Sequence, residues 1–412
     1  MSIPLAEYEV IVGSSTLAQL RRLGERLAGL RVVHVNSTRE RGGVAEILEW
    51  MVPHMRDVGV DASWEVVHGD PLFFDITKAI NNGLQGESVE LSKADWRIYQ
   101  DVNEMNARRL RPLLEEADIV VIHNPQPAGL LNFCPNRKGR WIWRAHIDIS
   151  RQFRAVGRVF RTFVENYDAS VFAMAEFAQP LPHPQFLIPP SIDPLSEKNR
   201  DLDPAELSSI RAEFGLDPDR PLIVQIARFD RFKDPVGVIK AYRLVRKAIP
   251  VQLVLAGAGA TDDPEGKAVL EDVLAAAAGD PDIHVLLLPM DAHKTINALQ
   301  RLADIILRKS TREGFGLTVA EGMWKGKPVI GGDAGGIRLQ VVNYHTGFLV
   351  CTPEGAAHRI RYLLHHRERI SEMGGVAREF VRGNFLLTRH LRECLTLFLA
   401  IPSGKKSRTL KV

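Results

Sequence analysis

The 412-residue sequence has only three cysteines, Cys134, Cys351 and Cys394, far apart and with no Cys-x-x-Cys pair. That scarcity excludes a disulfide framework and fits free thiols in a reducing compartment. No run of about 18 apolar residues occurs, which excludes a membrane-spanning helix. Residues Met1 to Leu30 carry Glu7, Glu9 and Glu25 and lack an apolar stretch of signal-peptide length, so the expected location is the cytoplasm. An excess of one charge is also missing. Lys and Arg number 53 against 50 Asp and Glu, and a net +3 over this length is too weak to point to nucleic acid. No His, Cys and carboxylate cluster has zinc spacing, and neither a Gly-x-Ser-x-Gly elbow nor a Walker lysine is present. The basic stretch over 400–412 has no apolar face and reads as a disordered tail, not a membrane anchor.

What the sequence does have is alternation. Apolar residues make up 45% and charged residues 25%, the balance of a well-cored soluble chain, and the length suggests two or three domains. Short runs rich in Val and Ile recur at Arg31–Val35, Trp64–Val67, Asp118–His123, Trp141–His146, Ser170–Met174 and Phe186–Ile188. Between them lie segments of helical spacing, such as Val44, Ile47, Leu48, Met51 and Met55. Near-continuous apolar runs suit strands buried on both faces, and the intervening helices suit crossovers. A second series follows at Leu222–Ala227, Gln252–Gly257, His284–Leu288, Ile305–Leu307 and Val329–Gly331. It is preceded by a helix start at Asp203-Pro204-Ala205-Glu206, with Asp as N-cap and Glu at the third position. The expected fold class is α/β: two doubly wound, Rossmann-like domains over 1–195 and 196–383, facing a deep cleft.

Two loops could carry chemistry in the second half. Ser310-Thr311-Arg312-Glu313-Gly314-Phe315-Gly316-Leu317 runs from a strand into a helix that includes Glu321. Glycines there let the backbone approach a ligand, and the free N–H groups of the helix's first turn favour an anion. Carboxylates beside an anion cradle suit sugar hydroxyls, which need acceptors. Arg228 and Lys233 leave the end of the strand at Leu222–Ala227, the edge where ligands bind in open parallel sheets. Both cations could face one diphosphate, whose charge grows as it departs. In the first half, Gly42 and Gly43 open a helix after a strand and could present amides to phosphate or sugar. His146 follows another strand and is expected to touch a sugar. Three Asp-x-Asp pairs (201/203, 217/219 and 280/282) sit at turns or helix starts, so no metal site is expected.

These residues resemble a known group. Glu313-Gly-Phe-Gly-Leu-Thr-Val-Ala-Glu321, with Ala227-Arg228-Phe229 and Lys233, resembles the signature of retaining GT-B glycosyltransferases. His34-Val-Asn36, Gly42-Gly-Val-Ala-Glu46, Pro125-Gln126-Pro127, Trp141-Ile-Trp-Arg144, His146-Ile-Asp148 and Pro189 through Asn199 are similar to the trehalose glycosyltransferring synthases. The resemblance implies reversible, metal-independent transfer of glucose from UDP-glucose or ADP-glucose to free glucose, giving α,α-trehalose, with no other cofactor. It implies that Arg228, Lys233 and the amides at Gly316 and Leu317 hold the diphosphate. Glu321 would take the ribose, Glu313 the donor sugar, and His146 the sugar's 6-hydroxyl. Asn36, Gln126 and Asp148 would serve the acceptor, and a helix over 384–399 would return to the first domain. A trehalose phosphorylase and a same-fold transferase with another acceptor are the alternatives, and a homodimer is left open. Two positions depart from the pattern: Arg41 stands where a glycine is usual, and Asn124 where an aspartate is.

Overall fold

The computed structural model describes residues 3–39, 42–258 and 264–401. Arg41 and the basic tail from Pro402 onward lie outside the described residues. The chain divides into two compact units, Met1–Ser191 with Leu387–Val412, and Ile192–Leu386.

The first unit is built on a six-stranded sheet of β1 (Arg31–Asn36), β2 (Asp61–Val66), β3 (Ile119–His123), β4 (Arg140–Arg144), β5 (Ala169–Phe172) and β6 (Gln185–Leu187). The strand order is β2-β1-β3-β4-β5-β6 and every pairing is parallel. The second unit carries β7 (Leu222–Ile226), β8 (Gln252–Ala258), β9 (Ile283–Leu288), β10 (Ile305–Arg308), β11 (Val329–Gly332) and β12 (Gly347–Val350). Their order is β12-β11-β10-β7-β8-β9, again all parallel. That is the order of a Rossmann sheet, and the first sheet follows the flavodoxin-like variant. The α/β fold class is thus borne out. One strand was not expected from the sequence: β12 is a four-residue run whose apolar stretch is too short to stand out.

Burial explains the apolar runs. Every residue of β3 and of β7 is buried, as parallel strands covered by helices on both faces require. In the second unit, Ile223, Leu253 and Leu255 from the sheet pack with Val238, Ile239 and Tyr242 of helix Pro235–Arg246 and Ile360 of helix Pro353–His365. Each such side chain contributes about 1.5–3 kcal/mol by leaving water. The helix start at Asp203 forms as read, with the Asp203 carboxylate accepting from the Glu206 amide in a capping box.

The last helix spans Leu387–Ala400 and belongs to the first unit. It begins three positions after Asn384 because Phe385 is held in the second unit, its ring 5.3 Å from that of Phe315. Arg389 anchors the helix by donating to the carbonyls of Pro189 and Pro190 at 2.9 and 2.7 Å. The three cysteines are free thiols, with Cys134 and Cys394 buried. Among the described residues no helix is long and apolar enough to cross a membrane.

Candidate active site

In each sheet the chain runs outward from a central strand and then continues on the strand's other side. The crevice at that reversal is where open parallel sheets bind ligands. In the second unit it lies between β7 and β10, and the two loops singled out by sequence leave the sheet there. Lys233 ends the short turn Arg231–Lys233 just beyond β7. Its Nζ lies 3.0 Å from Oε1 and 3.0 Å from Oε2 of Glu313, which follows β10. Arg308, the last residue of β10, donates from Nε and Nη2 to Glu313 Oε2 at 3.1 and 2.9 Å, and Ser310 Oγ adds a bond of 3.0 Å. Burial alone would push the Glu313 carboxyl up, but Lys233 and Arg308 hold it down at about 2. Lys233 is itself pulled below the usual lysine range, chiefly by burial, with Glu313 opposing. Among the described residues Oε1 of Glu313 bonds Lys233 alone, which leaves it a lone pair for a hydroxyl.

Gly316 caps the helix Leu317–Trp324 with φ +85°, a conformation that disfavours side chains. A Cβ there would also stand 3.2 Å from Glu313 Cγ. The buried Gln340 side chain fixes this turn by donating to the Phe315 carbonyl at 2.6 Å. The hydroxyl of Thr318 in the helix's first turn is buried with no hydrogen-bond partner among the described residues.

Two expected site residues stand differently. Arg228 does not join the Lys233–Glu313 cluster: its guanidinium turns to Asp230, 3.2 Å away, and its side chain is 71% exposed. Asp230 is the carboxylate at hand in its own turn, whereas Glu313 is already committed to Lys233 and Arg308. Glu321 is wholly buried, with Lys198 Nζ 3.3 Å from Oε1 and Gln300 donating to Oε2 at 3.3 Å. Arg308, Gln300 and Lys198 were missed by the sequence reading. Arg308 was the detectable one, a cation closing an apolar strand at the sheet's binding edge. Lys309, the next residue, is buried and bonded to Asp234, which caps helix Pro235–Arg246.

In the first unit the reversal lies between β1 and β3. Asn36, at the end of β1, donates to the Thr38 carbonyl at 2.9 Å. Gly42, with φ +87°, caps the helix that starts at Gly43. His34, His123 and His146 form a chain, with His34 Nδ1 3.0 Å from His123 Nε2 and His123 Nδ1 2.9 Å from His146 Nε2. Asn124 adopts φ +65°, where asparagine is better tolerated than most residues, and its Oδ1 accepts the His146 amide at 3.0 Å. Gln126 has a buried Oε1 with no partner among the described residues. Asp148 turns into its own loop, accepting from the amide and hydroxyl of Ser150 at 3.0 and 2.5 Å. Among the described residues no group of three or more His, Cys, Asp or Glu is placed to hold a metal ion.

Comparison with known proteins adds to this geometry. Residues 34–179 match the family described as trehalose synthase, N-terminal domain, and residues 208–380 match glycosyl transferases group 1. The chain is 44% identical over 398 residues to the trehalose synthase of Pyrococcus horikoshii, covering 95% of each chain. It is 29% identical over 400 residues to the trehalose phosphorylase of Pleurotus pulmonarius, covering 84% of this chain and 54% of that one. Among solved structures, the trehalose-6-phosphate synthase OtsA superposes with a TM-score of 0.74 at 16% identity, covering 90% of this chain and 99% of that one. At that identity the likeness shows the fold alone, GT-B.

Proposed function

The chain belongs to the trehalose synthase family of group 1 glycosyltransferases, and on that premise we propose that it makes α,α-trehalose reversibly from a nucleoside diphosphate glucose and free glucose. Donor and product are both α-linked, so configuration is retained. Neither glutamate of the Glu313–Glu321 motif is set to act as a nucleophile, because Glu313 is tied to two cations and Glu321 is enclosed. Transfer therefore proceeds on one face. The bond from the anomeric carbon to the diphosphate oxygen breaks as the acceptor's 1-hydroxyl oxygen bonds to that carbon. The hydroxyl proton passes to the departing diphosphate oxygen.

Lys233 and the amides at Gly316 and Leu317 meet the diphosphate, and Arg228 swings from Asp230 to join them. The cations lower the barrier because the charge they face grows as the bond breaks, so a divalent metal is not called for. Glu313 Oε1 accepts from a donor-sugar hydroxyl, and His146 contacts the sugar's 6-hydroxyl. Glu321 reaches the ribose only where the Lys198 ammonium gives way. Asn36, Gln126 and Asp148 serve the acceptor.

The observation that carries this reading is the arrangement of the cluster after β7 and β10: the buried Lys233 and Arg308 side chains share one carboxylate beside a turn of backbone amides. The purified protein is to be incubated, in EDTA, with glucose and UDP-glucose or ADP-glucose, and the sugars separated by chromatography. The expected product is trehalose, and trehalose with nucleoside diphosphate should return the nucleotide sugar. Release of glucose 1-phosphate from trehalose and inorganic phosphate, without nucleotide-dependent synthesis, would make the protein a phosphorylase and overturn the proposal. Transfer to another acceptor but not to glucose would overturn it too.

A further inference from the structure

Three imidazoles from neighbouring strands line up in the first unit. His34 lies within β1, His123 ends β3, and His146 follows β4. The rings of His123 and His146 stack with centroids 5.2 Å apart, and those of His34 and His123 are 5.3 Å apart. Only the two nitrogen-to-nitrogen contacts described above join them. Burial, reinforced by the Arg144 guanidinium and by the neighbouring rings, keeps all three neutral at physiological pH.

Neutrality restricts the protons. Each neutral imidazole has one N–H and one lone pair, so His123 cannot donate at both nitrogens or accept at both. The chain has just two consistent directions. In one, His34 Nδ1–H donates to His123 Nε2, His123 Nδ1–H donates to His146 Nε2, and His146 is left with its hydrogen on Nδ1. In the other every bond reverses, and His146 is left with a lone pair on Nδ1.

The far end of the chain decides between them. His34 Nε2 is buried and has no hydrogen-bond partner among the described residues. The first direction leaves a bare acceptor there, and the second leaves a buried N–H with nothing to receive it. Orphaned buried N–H groups are the rarer and costlier of the two.

We propose that His34 and His123 are positioning residues that hold His146 in the Nδ1–H tautomer, so that it offers the transferred sugar a hydrogen-bond donor and not a lone pair. This rests on the assignment of His146 to the sugar. The tautomer itself follows from the chain alone. Nearby His390 supplies an internal reference. Its Nε2 lies 2.8 Å from the Arg144 guanidinium, which can only donate, so its hydrogen must be on Nδ1, 2.8 Å from Ser191 Oγ.

The test is a long-range proton–nitrogen correlation spectrum of the histidine-labelled full chain near pH 7.5, without substrate. The His146 signals are assigned by their loss in His146→Gln. The expected result is a pyrrole-type Nδ1 and a pyridine-type Nε2 for His146, matching His390; a pyrrole-type Nε2 on His146 overturns the inference. Two near-isosteric variants then read function. His34→Asn can still donate to His123 and should keep the wild-type tautomer, with kcat/KM within about twofold. His34→Asp, ionised under the Arg144 guanidinium that acts on this position, accepts there, and should reverse the chain and lower kcat/KM about tenfold, the size of one hydrogen bond. Equal behaviour of the two variants in both spectrum and rate overturns the inference. Should His34→Asp fail to fold, the wild-type spectrum still decides. A protein that makes no trehalose yet shows the expected tautomer refutes the function and not the chain. Trehalose synthesis with the opposite tautomer does the reverse.

Discussion

Lys233 and Glu313 meet head-on, the ammonium 3.0 Å from each carboxylate oxygen, although 80 residues separate them in sequence. Arg308 shares the same carboxylate. Two cations against one anion leave the cluster one positive charge in excess, and that excess sits where the sheet reverses direction. A buried surplus charge is costly without a partner, so the cluster is suited to receive an anion.

Replacing Glu313 by Gln keeps the shape and removes the anion. Lys233 and Arg308 would then be buried together without a counter-charge, a change that costs about 3–5 kcal/mol. The thermal midpoint should fall by about 10 °C. The double variant Lys233→Met, Glu313→Gln should be less destabilised than the sum of the two single changes, because removing Lys233 relieves the cation–cation burial that Glu313→Gln leaves behind, while Lys233→Met alone leaves Glu313 paired with Arg308. Calorimetry on the four proteins checks this, and strict additivity would mean that the two side chains are not coupled.

Arg228 should behave in the opposite way. Among the described residues its exposed side chain bonds a carboxylate two residues on and no other group, so Arg228→Ala should change stability by about 0.5 kcal/mol or less. Turnover should nevertheless fall about 100-fold if the guanidinium meets the leaving diphosphate, with the KM for glucose little changed. Steady-state kinetics beside a thermal melt separate the two effects. A normal kcat would remove Arg228 from the site.

How much of this was legible in the sequence follows from what periodicity can carry. Strands such as β3 and β7 are wholly buried, so they appear as unbroken apolar runs. β12 escaped because its four residues begin at Gly347 and are too few to establish a pattern. The loop at Glu313 was found through its glycines, but its electrostatics were not. Arg308 reads as the end of a strand until β7 is known to lie beside β10, when its guanidinium proves to reach both Glu313 and the Ile226 carbonyl, the latter at 2.8 Å. His34 and His123 are separated by 89 residues and meet only because β1 pairs with β3, an order that no local spacing records. Arg228 stands apart from the cluster for a different reason, since the direction of an exposed side chain is set by whichever partner stands nearest.

Acid should weaken the first unit before the second. His34 is held down at about 3, primarily by burial, and His123, His146 and His390 lie well below the usual histidine value for the same cause. In the unfolded chain each would take up a proton near pH 6.5. Below that pH the unfolded state therefore binds protons that the native state refuses, and stability falls as pH falls until the native values are reached. Each such histidine contributes a slope of about 1.4 kcal/mol per pH unit, so four together approach about 5 kcal/mol per unit. Against a total stability of about 5–15 kcal/mol, a loss of that sign weakens the unit as pH drops below 6.5. Glu313 acts with the same sign in a lower window. Its contribution is present above the ordinary glutamate value of 4.5 and is lost as pH falls toward about 2. The tryptophans Trp50, Trp64, Trp96, Trp141 and Trp143 all belong to the first unit and only Trp324 to the second, so intrinsic fluorescence reports chiefly on the first. A fluorescence titration should show a steep transition between about pH 6 and 4, made shallower by His123→Phe, which removes one of the protons taken up. A signal flat from pH 7 to 4, with His123→Phe melting no differently from wild type across that range, would mean that these protons are not refused by the folded unit.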